Sequence, residues 1–304
     1  MSSEKLNILK RPELSRPRLL LGFSGWMDGG EVSTGTIKCL IDKLGAQSIA
    51  EIEPAGFYIY NFPGSMEITA MFRPHTKIRE GLIESYEVPT NTFYCSEENN
   101  LILFLGKEPN LCWEEYADCI FSLCAEFDVE MIYFIGSVAG LVPHTREPRL
   151  FCSVSRAELR ETFQHYGVKF TNYEGPAGIV THLAAICDEH DLSMVSFVAT
   201  IPAYVQGNNP KCIEAVTRRL AGMLDLPLAE SGFFHPHDSA HGRGKAGIFT
   251  AGAALGPMGI AESIDSAGKA AWDMLNYLQG APKAWIGSPA SKLWAACRPA
   301  PPPT

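Results

Sequence analysis

The sequence has no long apolar run, no cluster of basic residues and no Cys-x-x-Cys pair. Its longest weakly polar stretch, residues 246–261, is interrupted by four glycines and a proline, so it is too short and irregular to span a bilayer. The net charge is −9, and nucleic-acid phosphates are bound by clustered Lys and Arg side chains. We therefore expect neither a membrane nor a nucleic acid as partner.

Cysteine usage indicates a reducing compartment. The nine cysteines are odd in number and scattered, and the polar residues 1–10 contain no apolar core of a secretory signal. Reduced thiols and a cytoplasmic location follow as expectations. Cys112 and Cys119 lie seven residues apart, which predicts that both face the core from one side of a helix.

The 304 residues, of which 46% are hydrophobic and 19% charged, are enough for a sizeable core. Strand-like and helix-like patterns alternate between residues 18 and 228. The predicted strands cover residues 18–23, 48–53, 101–105, 129–135 and 194–201. The predicted helices cover residues 31–44 and 112–126. Three more are predicted: one capped by Ser155, one that begins near Pro176 and one that begins at Pro210. This alternation predicts an α/β fold, a mostly parallel sheet with helices on both faces.

The composition changes at about Ser231, which predicts a domain boundary. All but four of the 34 acidic side chains precede it, and Gly, Ala and Pro accumulate after it. We expect an N-terminal tail (residues 1–16), a core domain (17–230) and a C-terminal extension (231–304). The extension should contain one helix over residues 260–278, end in an extended Pro-rich segment, and act as an appendage to the core.

Three loops next to predicted strands and helices are candidates for a ligand site. Two apolar strands end at Ser24-Gly25 and at Gly136-Ser137, and a third loop, residues 173–178, leads into a helix. Parallel strands end at the same edge of a sheet, where α/β folds hold their ligands, so the three loops should converge. The candidate ligand-binding residues are Ser24, Gly25, Asp28, Gly136, Ser137, His144, Thr145, Arg146 and Glu174.

The first loop favours binding over nucleophilic catalysis. A nucleophile elbow requires Gly-x-Ser-x-Gly, but position 26, two residues after Ser24, is Trp. Free backbone N–H groups at the start of the following helix would favour an anion there, whereas Asp28 would oppose one. The catalytic residues stay unassigned.

The other loops leave two interpretations open. His144 and Arg146 suit a phosphate or carboxylate, or else they cap a helix or pair with Glu147 or Asp188. Glu174 is either a general base or a solvated loop carboxylate.

Two motifs near the C-terminus match a dinucleotide-binding site and a metal site only in part. Residues 242–247 match Gly-x-Gly-x-x-Gly, but a His-rich loop precedes them where a dinucleotide site requires a strand. His235, His237, Asp238 and His241 are metal-ligand types at a spacing that matches no familiar zinc site. We expect solvated loops in both places, no bound metal and no cofactor.

As a set, four segments of the core resemble the family named for the second proteasome assembly chaperone, and its bacterial members most. These segments are residues 22–30 (Gly-Phe-Ser-Gly-Trp-Met-Asp-Gly-Gly), 143–146 (Pro-His-Thr-Arg), 175–179 (Gly-Pro-Ala-Gly-Ile), and 201–204 (Ile-Pro-Ala-Tyr) with 209–211 (Asn-Pro-Lys). The resemblance covers about residues 17–230. It implies a fold similar to nucleoside phosphorylases and peptidyl-tRNA hydrolases, and self-assembly, commonly as a trimer. Eukaryotic members escort proteasome α-subunits into rings, whereas bacterial members have no established function.

Two positions depart from the family pattern. Proteasome-docking members end in a hydrophobic residue, a tyrosine and one more residue, but this sequence ends in Pro302-Pro303-Thr304. Ala203 stands where many relatives carry His, which disfavours a catalytic histidine there.

The resemblance implies a homo-oligomer that acts through protein–protein contacts, with a possible protein client, rather than an enzyme. The alternative is an enzyme or small-molecule binder with a phosphorylase-like or hydrolase-like cleft at the sheet edge. If the chain assembles, exposed aromatic side chains should be covered between subunits. The aromatic residues expected there are Trp26, Phe57, Tyr58, Tyr60 and Phe62.

Overall fold

A mixed β-sheet flanked by helices organises the chain. The computed structural model describes residues 4–70, 72–205, 207–226 and 271. The strands are β1 (Leu6–Ile8), β2 (Arg18–Ser24), β3 (Gln47–Ile52), β4 (His75–Arg79), β5 (Leu82–Glu87), β6 (Thr92–Ser96), β7 (Leu101–Lys107), β8 (Met131–Gly140), β9 (Leu150–Val154), β10 (Lys169–Phe170) and β11 (Met194–Pro202). The helices are α1 (Val32–Leu44), α2 (Met66–Ala70), α3 (Trp113–Glu126), α4 (Leu159–Gln164), α5 (Ile179–Ile186) and α6 (Pro210–Met223).

Nine of the described strands form the main sheet, in the order β1-β3-β6-β7-β2-β8-β11-β9-β10. The central strands β7, β2, β8 and β11 are parallel to one another. Strands β6 and β9 join them antiparallel on either side. The expected α/β fold with a mostly parallel sheet is confirmed, and its carboxyl edge is the end of β7, β2, β8 and β11.

Helices cover both faces of this sheet, because alternate residues of a strand point to opposite sides. Leu19 and Leu21 of β2 belong to the apolar cluster that includes the buried side chains of α3 and α5. Gly22 faces the other side, where α1 passes so close that a β-carbon on Gly22 would lie 2.4 Å from Ile37 Cγ1. Helix α6 packs beside α1 on that side.

Two predicted helix starts differ from the structure. Cys112 has φ = 54°, a left-handed conformation, and α3 begins at the next residue. Cys112 is therefore exposed, and the prediction that it faces the core is wrong, whereas Cys119 is buried. Ser155 does not cap a helix, because its Oγ accepts a hydrogen bond from the Met194 amide at 2.9 Å and α4 begins only at Leu159.

Residues 59–90 leave the sheet between β3 and β6, and we call them the arm. No described residue of the arm is buried. The residues on either side of the arm are joined in the core, where the Tyr58 hydroxyl donates to Asn91 Oδ1 at 2.8 Å. Phe57 and Tyr58 are 0% and 8% exposed within the chain, so the expectation that they are exposed and covered by a second subunit is wrong. Trp26, Tyr60 and Phe62 are exposed.

Several predictions concern the C-terminal extension. The expected helix over residues 260–278, apart from residue 271, lies outside the described residues. So do the histidines at positions 235–241 and the glycine motif at 242–247. The domain boundary near Ser231 stays a prediction.

Candidate functional site

The loop after β2 lies over the end of β8. Ser137 of β8 donates its amide to the Met27 carbonyl at 2.7 Å and its Oγ hydrogen to the Gly29 carbonyl at 2.6 Å. Asp28 and Ser137 form a parallel bridge. The first candidate loop therefore meets the second candidate segment at the carboxyl edge of the sheet. The prediction that the second strand ends at Gly136-Ser137 is wrong, because both residues lie within β8, which continues to Gly140.

The Asp28 carboxylate is turned toward the first turn of α1. Its two oxygens accept hydrogen bonds from the Thr34 amide at 3.1 Å and the Thr34 hydroxyl at 2.8 Å. Burial is the largest influence on this group and raises the pKa of Asp28 above its ordinary value. The sequence suggests that an external anion could bind at the start of α1. In the structure, the Asp28 carboxylate of the chain itself already accepts hydrogen bonds there.

Glu108 connects the first loop to the third. This residue follows β7 directly, and its carboxylate accepts from the Trp26 amide at 3.0 Å and from the Ile179 amide, at the start of α5, at 3.3 Å. Gly25 makes room for it: at φ = 143°, a β-carbon on Gly25 would lie 2.9 Å from Glu108 Oε2. The Ser24 carbonyl accepts from the Glu108 amide at 2.9 Å. Glu108 thus joins the first loop to the third, and Ser137 joins the first loop to β8, so all three segments meet at one edge of the sheet. Glu108 is absent from the candidates drawn from the sequence.

We expect Glu108→Ala to loosen both segments that the carboxylate joins. Amide exchange at Trp26 and Ile179 should become about 10-fold faster or more, because each amide loses a hydrogen bond to a charged acceptor. Hydrogen exchange followed by NMR measures this. Glu108→Gln, which keeps one acceptor oxygen, should protect only one of the two amides. Glu114→Ala, an exposed change in the first turn of α3, serves as control, and unchanged exchange at Trp26 and Ile179 in Glu108→Ala would contradict the expectation.

The His144-Thr145-Arg146 segment is exposed and tied to the loop after β11. The Tyr204 hydroxyl lies 2.7 Å from the His144 amide nitrogen and 2.8 Å from its Nδ1. Lys211, in the first turn of α6, donates to the His144 carbonyl at 2.7 Å. The alternative partners named for His144 and Arg146 are engaged elsewhere, since Glu147 pairs with Arg218 and Asp188 with Arg156. Tyr204 is not one of the nine candidate residues, although it lies in residues 201–204, one of the segments that carry the family resemblance.

Glu174 is exposed, and its carboxylate has no hydrogen-bond or ion-pair partner within the described part of the chain. It does not meet His144 or Arg146 in a hydrogen bond or ion pair there. This arrangement fits the solvated loop carboxylate better than the general base, which needs a partner or substrate to position it.

An apolar cleft of about 660 Å³ opens between α5 and the strands β8, β9 and β11. Trp26 and Tyr173, 58% and 66% exposed, line its mouth. Its floor is formed by side chains such as Phe134, Met194 and Val198. None of the nine candidate residues lines this cleft, so the polar loop residues and the apolar cavity are neighbours rather than one site.

The described residues also set limits on other kinds of site. Within them, no three His, Cys, Asp or Glu side chains are grouped so that they could hold a metal ion. No described helix is both long enough and apolar enough to cross a membrane.

Comparison with known proteins identifies what the chain is similar to. Residues 22–232 match the sequence model of the PAC2 family. No curated protein matches the chain. A proteasome-assembly chaperone homologue of Mycobacterium tuberculosis is 25% identical over 70% of this chain and 87% of its own, with a TM-score of 0.61.

Two further solved structures have the same fold. A PAC2 family protein from Streptomyces avermitilis is 25% identical over 70% of this chain and 88% of its own, with a TM-score of 0.59. An archaeal proteasome activator from Pyrococcus furiosus is 20% identical over 75% of this chain and 92% of its own, with a TM-score of 0.56.

Proposed function

Because the chain belongs to the PAC2 family, we propose that it is a proteasome-assembly-chaperone-like protein that acts through protein–protein contacts as a cytoplasmic homo-oligomer. A trimer is the assembly that the family resemblance favours. The partner is a protein, in keeping with relatives described as a proteasome-assembly chaperone homologue and as a proteasome activator.

The distribution of exposed apolar side chains carries this proposal. Of the 17 large hydrophobic side chains exposed among the described residues, nine lie in residues 60–88 of the arm. Large apolar patches on soluble chains mark sites of protein contact. The arm thus presents the kind of surface that a protein partner covers.

The experiment is to mix the purified full chain with free proteasome α-subunits and with assembled proteasomes, and to measure masses by light scattering. We expect the chain alone to run as a multiple of its 33.3 kDa mass, and to form a defined complex with at least one of the two. A control protein of similar negative charge should bind neither, because the proposed contact is apolar. A chain that stays monomeric and binds neither preparation would overturn the proposal.

The second candidate function is small-molecule binding, and the apolar cleft favours it. Its volume of about 660 Å³ lies in the range typical of ligand pockets, about 300–1,000 Å³. The lining suits an uncharged, largely apolar ligand, and the candidate polar groups lie outside it, so binding is favoured over catalysis. One-to-one binding of a hydrophobic fluorophore, lost when Val138→Trp fills the cleft, would support this function.

A further inference from the structure

The floor of the apolar cleft contains a buried hydroxyl group that the chain itself does not satisfy. Ser196 of β11 is 6% exposed and lines the cleft. Its Oγ makes no hydrogen bond within the described part of the chain, whereas the Oγ of Ser155, in the same lining, accepts from the Met194 amide. The large majority of buried side-chain polar atoms in folded proteins have a hydrogen-bond partner. Ser196 therefore offers one donor and an acceptor to a molecule that enters the cleft.

The register of the sheet places this hydroxyl beside an aromatic ring. Ser196 pairs with Phe134 of β8 on one side and with Ser153 of β9 on the other. Paired residues of neighbouring strands point to the same side of a sheet, so these three side chains form a row across the floor of the cleft. Ser153 is exposed, and water can satisfy its hydroxyl. A ligand group that reaches Ser196 brings the rest of the ligand against the Phe134 ring.

Two aromatic side chains at the mouth of the cleft have no ring to pack against. Trp26 and Tyr173 line the mouth, and neither ring contacts another aromatic ring among the described residues. Aromatic rings gain free energy from stacked or edge-to-face contact with a second ring. Together with Phe134 on the floor, they suit a planar ring better than a flexible chain, which loses more conformational freedom on binding.

The charges around the cleft favour a neutral ligand. None of the described residues that line it is charged. Charges of both signs lie just outside: a β-carbon on Gly178 would lie 2.9 Å from Glu108 Oε1, and Lys169 Nζ lies 5.7 Å from the centre of the Phe151 ring. Burying an ionised group without a partner of opposite charge is costly, so neither an anion nor a cation suits this lining.

We propose that the cleft binds a neutral aromatic compound that carries a hydroxyl group. The ring packs on Phe134 and beneath Trp26 and Tyr173, and the hydroxyl forms a hydrogen bond with Ser196 Oγ. A hydroxyl matches Ser196 because each group both donates and accepts. The inference rests on small-molecule binding, the second candidate function, and names the ligand class and the residue that selects it.

The first experiment is titration calorimetry of the full chain with four probes that differ in one property each. 2-Naphthol has the ring and the hydroxyl, naphthalene has the ring alone, 2-naphthoate has the ring with a negative charge, and 1-heptanol has the hydroxyl on a flexible chain. We expect 2-naphthol to bind one-to-one. We expect 2-naphthoate and 1-heptanol to bind about 10-fold more weakly or worse, because one is charged and the other has no ring.

Three variants assign the parts of the ligand to residues, and circular dichroism confirms that each is folded. Ser196→Ala should weaken 2-naphthol about 10-fold and leave naphthalene unchanged, because only 2-naphthol loses a hydrogen bond. Trp26→Ala should weaken both by about 3- to 10-fold, because it removes a ring contact that the two ligands share. Ser85→Ala, which removes a hydroxyl from the hairpin β4–β5 outside the cleft, should change neither affinity.

The outcomes separate the ligand class from the function. If Ser196→Ala leaves the affinity for 2-naphthol unchanged, or if 2-naphthoate or 1-heptanol binds as tightly as 2-naphthol, the inference is overturned. It is also overturned if 2-naphthol fails to bind. In each of these cases small-molecule binding still stands when the hydrophobic fluorophore binds one-to-one. If neither the fluorophore nor any of the four probes binds, both are overturned.

Discussion

Asn91→Ala should destabilise the fold by about 3 kcal/mol and lower the melting temperature by roughly 6–12 °C. Asn91 Oδ1 is a buried acceptor for three donors, the hydroxyls of Tyr58 and Tyr116 at 2.8 and 3.0 Å and the Lys107 amide at 3.1 Å. Alanine would leave these buried donors short of an acceptor, and an unmade buried hydrogen bond costs more than a made one contributes. The Tyr58 hydroxyl keeps a contact with the Lys107 carbonyl, which limits the loss.

Calorimetry of the unaltered chain and two comparison variants checks this result. Asn61→Ala removes an exposed amide of the same kind and should change stability by less than about 0.5 kcal/mol. Tyr116→Phe removes one of the three donors and should fall between the two. A melting temperature for Asn91→Ala within a degree or so of the unaltered chain would show that the three hydrogen bonds do not stabilise the fold as their burial indicates.

Gly22→Ala and Gly222→Ala should change stability in opposite directions. A β-carbon on Gly22 would lie 2.4 Å from Ile37 Cγ1 and 3.1 Å from the Ser33 carbonyl oxygen, so strand β2 and helix α1 would have to separate. Such overpacking costs about 1–3 kcal/mol, and the upper end is expected here because a backbone atom is involved. No atom lies within 4 Å of a β-carbon on Gly222, an exposed position in α6. Alanine there should stabilise the helix by about 0.5–1 kcal/mol.

Urea unfolding of the two variants beside the unaltered chain measures both changes. The same chemical substitution at both sites removes the effect of glycine on the unfolded chain from the comparison. Equal free-energy changes at the two positions would contradict the close approach of β2 and α1.

The parallel centre of the fold can be predicted from the sequence because its signal is local. Strands β2 and β8 are apolar runs followed by glycines and small polar residues, and they pair in parallel at the centre of the sheet, although β8 continues to Gly140, beyond its predicted end. The hairpin β4–β5 has no such signal. A bulge interrupts the pairing, so polar and apolar residues do not alternate regularly along it, and every strand residue except Ser85 is exposed.

Burial and site membership depend on tertiary contacts that periodicity does not encode. Phe57 and Tyr58 stand in an aromatic run with Tyr60 and Phe62, yet the first two are buried and the last two exposed, because the chain leaves the core between them. Glu108 is a single carboxylate after a strand, and its link to Trp26 and Ile179 exists only once β7 and β2 lie side by side. Position after a parallel strand is the one signal that could have singled it out.

The Tyr58–Asn91 hydrogen bond has a consequence for how such chains diversify. It joins the residue before the arm to the residue after it, and the strands on either side, β3 and β6, are neighbours in the sheet. An excursion whose two ends already meet in the core adds little closure entropy when it grows, shrinks or is exchanged. The arm can therefore change in length or sequence between relatives while the strand order of the sheet beneath it stays unchanged.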